Sequence, residues 1–414
     1  MGNSAILDGQ KPTNLQQKVS YWRYTYERQF GTTKHFEWRG KVETKVKVPV
    51  STKEELMLCY TPGVADACMA IHEQPELSFE LTGRANTVAV ITDGTAILGL
   101  GNIGPEAGMP VMEGKCALFK HFGGVDAFPI CLRTTDPDEI VNTIKLLEGS
   151  FGGINLEDIS APRCFEVESR LKREMDIPVF HDDQHGTAIV VGAGVINACK
   201  VTGRDIHAVR AVVNGAGAAG IAIGKYLLAL GVKDVVMVDR QGILVEGEEY
   251  PNTAHMEIAK LTNREFVKGS LTDALIGRDL FVGVSVGNIV SSEMICKMAK
   301  DSIVFALANP IPEITPDKAK LGGAKVVGTG SSQYPNQVNN VMVFPGMFRG
   351  ALDVRASDVN IQMMMAASYA IASSVAESDL TCENVLPVAV DQRVHDAVAE
   401  AVRKAARESG VARK

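Results

Sequence analysis

The 414 residues of this chain exceed one ordinary domain and set two domains as the expectation. Hydrophobic residues make up 46% and charged residues 22%, the balance of a globular protein with a large core. A formal net charge of −7 excludes a broad nucleic-acid-binding surface, and no run approaches the roughly 18 apolar residues of a membrane span.

Residues 1–40 differ from the rest. Trp22, Trp38, Tyr21, Tyr24 and Tyr26 all lie there, and six Lys/Arg against three acids make this stretch basic. Asp8, Glu27 and Glu37, with no Ser/Arg bias, argue against an organelle-targeting presequence. The expectation is a helical arm that packs on this subunit or on a partner. There is no signal-peptide apolar region, so the expected location is cytoplasmic.

Residues 41–200 mix strands and helices. VAVITDGTAILGLG (88–101) has apolar runs on both sides of Asp93-Gly94 and predicts strand–turn–strand. AFPICLR (127–133), GGINLEDI (152–159) and PVFHDD (178–183) read as short buried strands. DPDEIVNTIKLL (136–147) and PRCFEVESRLKREM (162–175) have helical spacing, with Pro137 and Pro162 suited to first turns. SAP (160–162) and GTA (186–188) read as helix-capping turns.

Residues 201–350 alternate strand and helix. AVVNGAGAAG (211–220), DVVMVDR (234–240), DLFVGVSVG (279–287), SIVFALANP (302–310), AKVVGTG (324–330) and VMVFPG (341–346) supply the strands, which predicts an α/β, doubly wound parallel sheet. Residues 351–414 read as helices, MMMAASYAIASSVAE (363–377) most clearly. The eight cysteines form no CxxC pair and are expected to be reduced, mostly buried thiols.

Two features point to chemistry. Gly215-x-Gly217-x-x-Gly220, with Ala218 and Ala219 between the last two glycines, follows a strand and opens a helix. Such a turn lets backbone approach a pyrophosphate at a helix N-terminus. Asp239 ends the next strand, where it would accept from a ribose 2′-hydroxyl and favour NAD; Arg240 beside it could pair with the 2′-phosphate of NADP. The reading leans to NAD. The second feature is two acidic pairs, Glu157-Asp158 and Asp182-Asp183, at the ends of successive strands. Four clustered carboxylates repel unless a cation binds or some are protonated, and an all-oxygen set suits Mg²⁺ or Mn²⁺. Acids at surface loop starts are the alternative. His181 and His185 flank the second pair, and structural roles are expected for them.

The blocks CYTPGVADAC (59–68), ITDGTAILGLGNIGPEAGMPVMEGKCALFK (91–120), INLEDISAP (154–162), VFHDDQHGT (179–187), FALANP (305–310), QVNNVMVFPG (337–346) and FRGALDVRA (348–356) resemble the successive motifs of malic enzymes, closest to the short prokaryotic type. The resemblance runs from about residue 40 to the C-terminal helices. It implies an N-terminal malic-enzyme α/β domain (41–200), a Rossmann-type doubly wound NAD(P)-binding domain (201–350) and C-terminal helices (351–414). It also implies a homodimer or a dimer of dimers that acts on malate with a divalent metal and NAD or NADP, and no membrane or nucleic-acid partner.

Carried across by motif, Tyr60 matches the family's general acid and Lys115 its general base. Glu157, Asp158 and Asp183 match the metal ligands, and Asp182 a supporting carboxylate that orients Lys115. Asn309 and Asn339 match residues near substrate and nicotinamide, and Asn288 the cofactor cleft. The longer eukaryotic-type members carry a malate-gripping Arg two residues before the LGLG segment, where this chain has Ala96. The implied reaction is the oxidative decarboxylation of malate to pyruvate and CO₂. The competing readings are a metal-independent oxidoreductase like the amino-acid dehydrogenases and a non-catalytic NAD(P)-binding protein.

Overall fold

A computed structural model of the chain describes residues 30–414, so Tyr21, Trp22, Tyr24 and Tyr26 of the basic arm lie outside the described residues. Among the described residues, 30–48 belong to one unit and Pro49–Lys414 to the other. Within the first, helix α1 (Phe30–Trp38) leads into an extended stretch that exposes Val42, Val46 and Val48.

The second unit opens with helices α2 (Lys53–Cys59) and α3 (Val64–Glu73), and neither has a buried residue. Thr52 caps α2 through a reciprocal capping box with Glu55.

A four-stranded sheet follows. Its strands are β1 (Thr87–Thr92), β2 (Asp126–Cys131), β3 (Gly153–Leu156) and β4 (Val179–His181), all parallel and in the order β2-β1-β3-β4. The central strands β1 and β3 are apolar and buried on both faces, as parallel strands under helices must be. Helices α4 (Pro105–Gly123), α5 (Pro137–Leu147), α6 (Arg163–Glu174) and α7 (Asp182–Thr202) connect and cover them. Pro137 sits in the first turn of α5, whereas Pro162 is the N-cap of α6.

A six-stranded sheet has the order β10-β9-β8-β5-β6-β7. Its strands are β5 (Arg210–Asn214), β6 (Asp234–Asp239), β7 (Gly242–Ile243), β8 (Leu280–Gly283), β9 (Ser302–Ala306) and β10 (Ala324–Thr329). Only β7 runs antiparallel, against β6. Helices α8 (Ala218–Ala229) and α9 (Thr253–Ala259) flank it. The order reverses between β5 and β8, which places a ligand crevice at their C-terminal ends. Helices α10 (Phe344–Asp353), α11 (Ile361–Ser373) and α12 (Gln392–Glu408) complete the chain, with α10 against α4 and α11 against α7. One hydrophobic core runs from Val88 and Val90 of β1 through Val190, Val191 and Val195 of α7 to Ala211 and Val213 of β5. No helix among the described residues is long and apolar enough to cross a membrane.

Four local expectations are corrected. No second strand follows β1: residues 93–104 form a loop with only an Ile97–Gly101 bridge, because Leu98 and Gly101 adopt positive φ. VMVFPG forms a 3-10 turn (Asn340–Met342) and the start of α10, with Pro345 in the first turn. GTA (186–188) lies inside α7 and caps nothing. Only Cys116, Cys164 and Cys199 are buried; Cys59, Cys68 and Cys296 are exposed, Cys131 and Cys382 are half-buried, and all eight are free thiols.

Candidate active site

The acidic pairs meet because β3 and β4 are parallel neighbours that end level, with Leu156 beside His181. Glu157 and Asp158 leave the end of β3. Asp182 and Asp183 form the first turn of α7, which starts directly after β4 with His181 as its N-cap. Oxygens of Glu157, Asp158 and Asp183 lie within 4.8 Å of one another. Asp158 takes φ +53, a backbone region that costs a non-glycine residue energy. Its N–H donates to Asp183 Oδ2 at 2.7 Å, and Asn155 Nδ2 donates to Glu157 Oε2 at 2.9 Å.

Lys115, on the buried face of α4, closes the cluster. Its Nζ donates to Asp182 Oδ2 at 2.6 Å, lies 2.9 Å from Glu157 Oε1 and sits 4.2 Å above the Phe344 ring. Asn340 Nδ2 donates to the same Asp182 oxygen. The side chains of Lys115, Glu157 and Asp182 are 8%, 4% and 0% exposed.

Burial is the leading cause that pushes the carboxyls up, and repulsion between them adds to it. Asp158 rises to about 9, Glu157 and Asp182 to about 7, and Asp183 to about 6. Burial acts on Lys115 in the opposite sense, but Asp182, Glu157 and Asp183 outweigh it and hold the ammonium above its ordinary value. Asp158 Oδ2 and Asp182 Oδ1 are buried without a hydrogen-bond partner among the described residues. Three convergent carboxylates with an unsatisfied oxygen and raised pKa values are a donor set suited to a hard divalent cation. Of the two histidines, His181 is buried with its pKa lowered to about 4 chiefly by burial and its Nδ1 3.8 Å from Asp183 Oδ2, and His185 Nε2 meets Glu168 Oε1 at 2.8 Å.

The glycine turn follows β5. Gly215 has φ +112, and a Cβ there would lie 2.6 Å from Val284 O, just past the end of β8. A Cβ on Gly220 would strike Gly215 O at 1.7 Å, whereas at Gly217 it would meet nothing within 4 Å. The turn is tight on the protein side and open at Gly217, which fits a pyrophosphate lying over it. Below it, Asn214 Nδ2 donates to Ser285 Oγ at 2.7 Å, and Glu313 accepts from the N–H groups of Ser285 and Ala308. Ala218, in the first turn of α8, packs against the core cluster of the first sheet, which contains Ile159 and Cys164; Ala219 follows it, half-buried. The two crevices therefore adjoin.

The remaining expected residues are dispersed. Gly99, in the loop after β1, approaches the exposed Asn309, whose carbonyl would lie 2.8 Å from a Cβ there. The Asn339 side chain accepts from Val341 N and caps the 3-10 turn. Asn288 is exposed with φ +60, and its N–H donates to Pro312 O. Ala96 donates its N–H to Asp158 O at 2.9 Å. Tyr60 is 67% exposed as the C-cap of α2, and its hydroxyl makes no hydrogen bond among the described residues. The structure does not bring Tyr60 into contact with the Lys115 cluster.

The profile "Malic enzyme, N-terminal domain" matches residues 39–137 and 132–172, and "Malic enzyme, NAD binding domain" matches residues 184–407. The chain belongs to the malic enzyme family. It is 57% identical over 376 residues to a bifunctional malic/malolactic enzyme of Bacillus subtilis, across 91% of this chain and 92% of that protein. It is 55% identical over 375 residues to an NAD-dependent malic enzyme of Geobacillus stearothermophilus, across 91% of this chain and 78% of that one. The crystal structure of an NAD-dependent malic enzyme from Thermotoga maritima superposes with a TM-score of 0.87 at 51% identity, covering 90% of this chain and 98% of the other.

Within this malic enzyme fold, three residues of the Lys115 site escaped the sequence reading. Asn340 adjoins Asn339 in QVNN, and only the turn geometry decides which one caps and which one reaches Asp182. Asn155 lies two residues before Glu157 in the NLED run, so strand alternation was a usable signal. Phe344, inside VMVFPG, faces Lys115 because it opens a helix there.

Proposed function

We propose that the chain oxidatively decarboxylates (S)-malate to pyruvate and CO₂ with reduction of NAD(P)⁺, and that it depends on Mg²⁺ or Mn²⁺. The observation that carries this reading is a buried lysine inside a ring of carboxylates, at strand ends that adjoin a dinucleotide crevice. It implies a malic-enzyme catalytic domain within 41–200 and a Rossmann NAD(P)-binding domain within 201–350. Relatives named for NAD and for NADP both occur. Asp239, whose Oδ1 accepts from Gln241 N at 2.7 Å, supports NAD for this chain.

Glu157, Asp158 and Asp183 would hold the divalent ion, and when bound it supplies Lewis-acid polarisation of the malate C2 oxygen. The turn at Gly215, Gly217 and Gly220 would hold the dinucleotide, whose nicotinamide would supply the acceptor for the C2 hydride. Lys115 Nζ accepts the C2 hydroxyl proton. To do so it must first be neutral: Asp182, Glu157 and Asp183 favour its cation, and a bound divalent ion would oppose the charge of Glu157 and Asp183 while Asp182 stays its partner. Asp182 and Asn340 fix the position of Nζ. Tyr60 Oη then gives a proton to C3 after CO₂ has left.

In one chain Tyr60 faces solvent, so the reading includes a homodimer, alone or as a dimer of dimers, in which Tyr60 of the partner subunit serves each site. Exposed Leu56, Met57, Leu58 and Met69 around it form an apolar face for a second copy to cover. Eight free thiols suit the reducing cytoplasm.

The test is malate oxidation by the purified protein with Mn²⁺ and each cofactor in parallel. NADH should form, more efficiently than NADPH. Chelation should abolish the activity, and added Mn²⁺ should restore it. Full activity after complete metal removal would favour the amino-acid-dehydrogenase-like reading instead.

A further inference from the structure

His255, on α9, joins two parts of the dinucleotide crevice that the glycine motif alone does not connect. Its Nε2 lies 2.9 Å from the carbonyl oxygen of Ala216, between Gly215 and Gly217 of the phosphate turn. A carbonyl only accepts, so Nε2 carries a hydrogen and the ring orientation is set. Its Nδ1 lies 3.6 Å from Asp239 Oδ2, so the ring stands beside the carboxylate without a hydrogen bond to it.

The other oxygen of Asp239 is engaged by the Gln241 N–H. Asp239 Oδ2 is therefore the oxygen left for a ribose hydroxyl, and His255 is the side chain beside it. Both His255 and Asp239 have side chains 16% exposed, half-buried at the crevice wall. The Tyr250 ring stands edge-on to the imidazole at 6.1 Å, and Tyr250 Oη in turn accepts from Val245 N. Asn252 caps α9 three residues earlier, which fixes the turn that carries His255.

We propose that His255 is the positioning residue of the adenosine-ribose subsite. Anchored on the Ala216 carbonyl, its ring stands against Asp239 and limits the carboxylate to where it meets a free 2′,3′-diol. A 2′-phosphate would have to occupy the same wedge against Asp239 Oδ2, so the arrangement selects NAD over NADP. This rests on the dinucleotide reading above and adds a residue that acts through Asp239 and touches no reacting atom.

Direct binding of NADH and NADPH, followed by nucleotide fluorescence, tests it without requiring turnover. His255→Phe keeps a ring against Tyr250 and removes both nitrogens. It should weaken NADH binding about tenfold, the order expected for one lost hydrogen bond and a displaced carboxylate, and change NADPH binding less than about twofold. With malate and Mn²⁺, the KM for NAD should rise while kcat at saturating NAD stays within about twofold. His255→Gln, which can still donate to Ala216 O, should recover most of the NADH affinity. Unchanged NADH binding in His255→Phe would overturn the proposal. So would equal loss of both nucleotides, or failure of His255→Gln to recover affinity while its melting temperature matches the parent. If the parent protein bound neither nucleotide, the dinucleotide reading itself would fall.

Discussion

Asp182 accepts from two donors at one oxygen, Lys115 Nζ and Asn340 Nδ2, and has no exposed side-chain surface. A buried carboxylate with its pKa raised to about 7 needs both donors to stay fixed. Asn340→Ala removes one and frees the Asp182 carboxylate that positions Lys115 Nζ, so kcat should fall about tenfold or more. The Mn²⁺ affinity should stay close to the parent's, because Asp182 is outside the Glu157, Asp158 and Asp183 set. Parallel kinetics and metal titration separate the two effects, and a matching loss of Mn²⁺ binding would make Asn340 a determinant of the metal site. The malic-enzyme motifs carried the roles of Lys115 and the acids in the sequence, whereas the acidic pairs by themselves left surface loop acids open as the alternative. Asn340 stayed invisible since two adjacent asparagines differ only in where a three-residue turn points them.

Among the elements, α7 carries the tightest constraint. Asp182 and Gly186 lie one helical turn apart, so they share a face. A Cβ at Gly186 would lie 2.1 Å from Asp182 Oδ1 and 3.0 Å from Asn340 Cβ. Gly186→Ala should gain a little helix propensity yet push the Asp182 carboxylate away from Lys115, lowering kcat about tenfold or more while far-UV circular dichroism is unchanged. Parent-like kcat would show that the helix yields at no cost. The same scale shows what short patterns conceal. GTA looks like a turn until the glycine is recognised as relief for a side chain four residues earlier. VMVFPG is apolar enough for a strand, and an apolar run of that length does not distinguish a strand from a buried helix start. The parallel strands of both sheets were legible because each is a short apolar run followed by polar or turn residues. The loop after β1 was not, because its course depends on backbone bonds to the segment that follows β3, such as Ala96 N to Asp158 O.

For the whole molecule, the residue that decides the assembly is Tyr60. A motif can identify a tyrosine, but it cannot say which subunit's site that tyrosine enters. Leu58 is 77% exposed next to it, and neither α2 nor α3 buries a residue in the single chain, which is why the proposed function includes a second copy over this face. A shared site makes a quantitative prediction. Tyr60→Phe and Lys115→Ala should each be nearly inactive alone. Co-expressed in equal amounts, half of the dimers would be mixed, and one of the two sites in each mixed dimer would combine an intact Tyr60 with an intact Lys115. Activity should return to about a quarter of the parent's. If each chain used its own Tyr60, every site would lack one group and the mixture would stay inactive. Purifying the mixed dimer by a tag on each variant distinguishes the outcomes, because a site shared across the interface gives half the parent activity per dimer in that fraction and a site within one chain gives none.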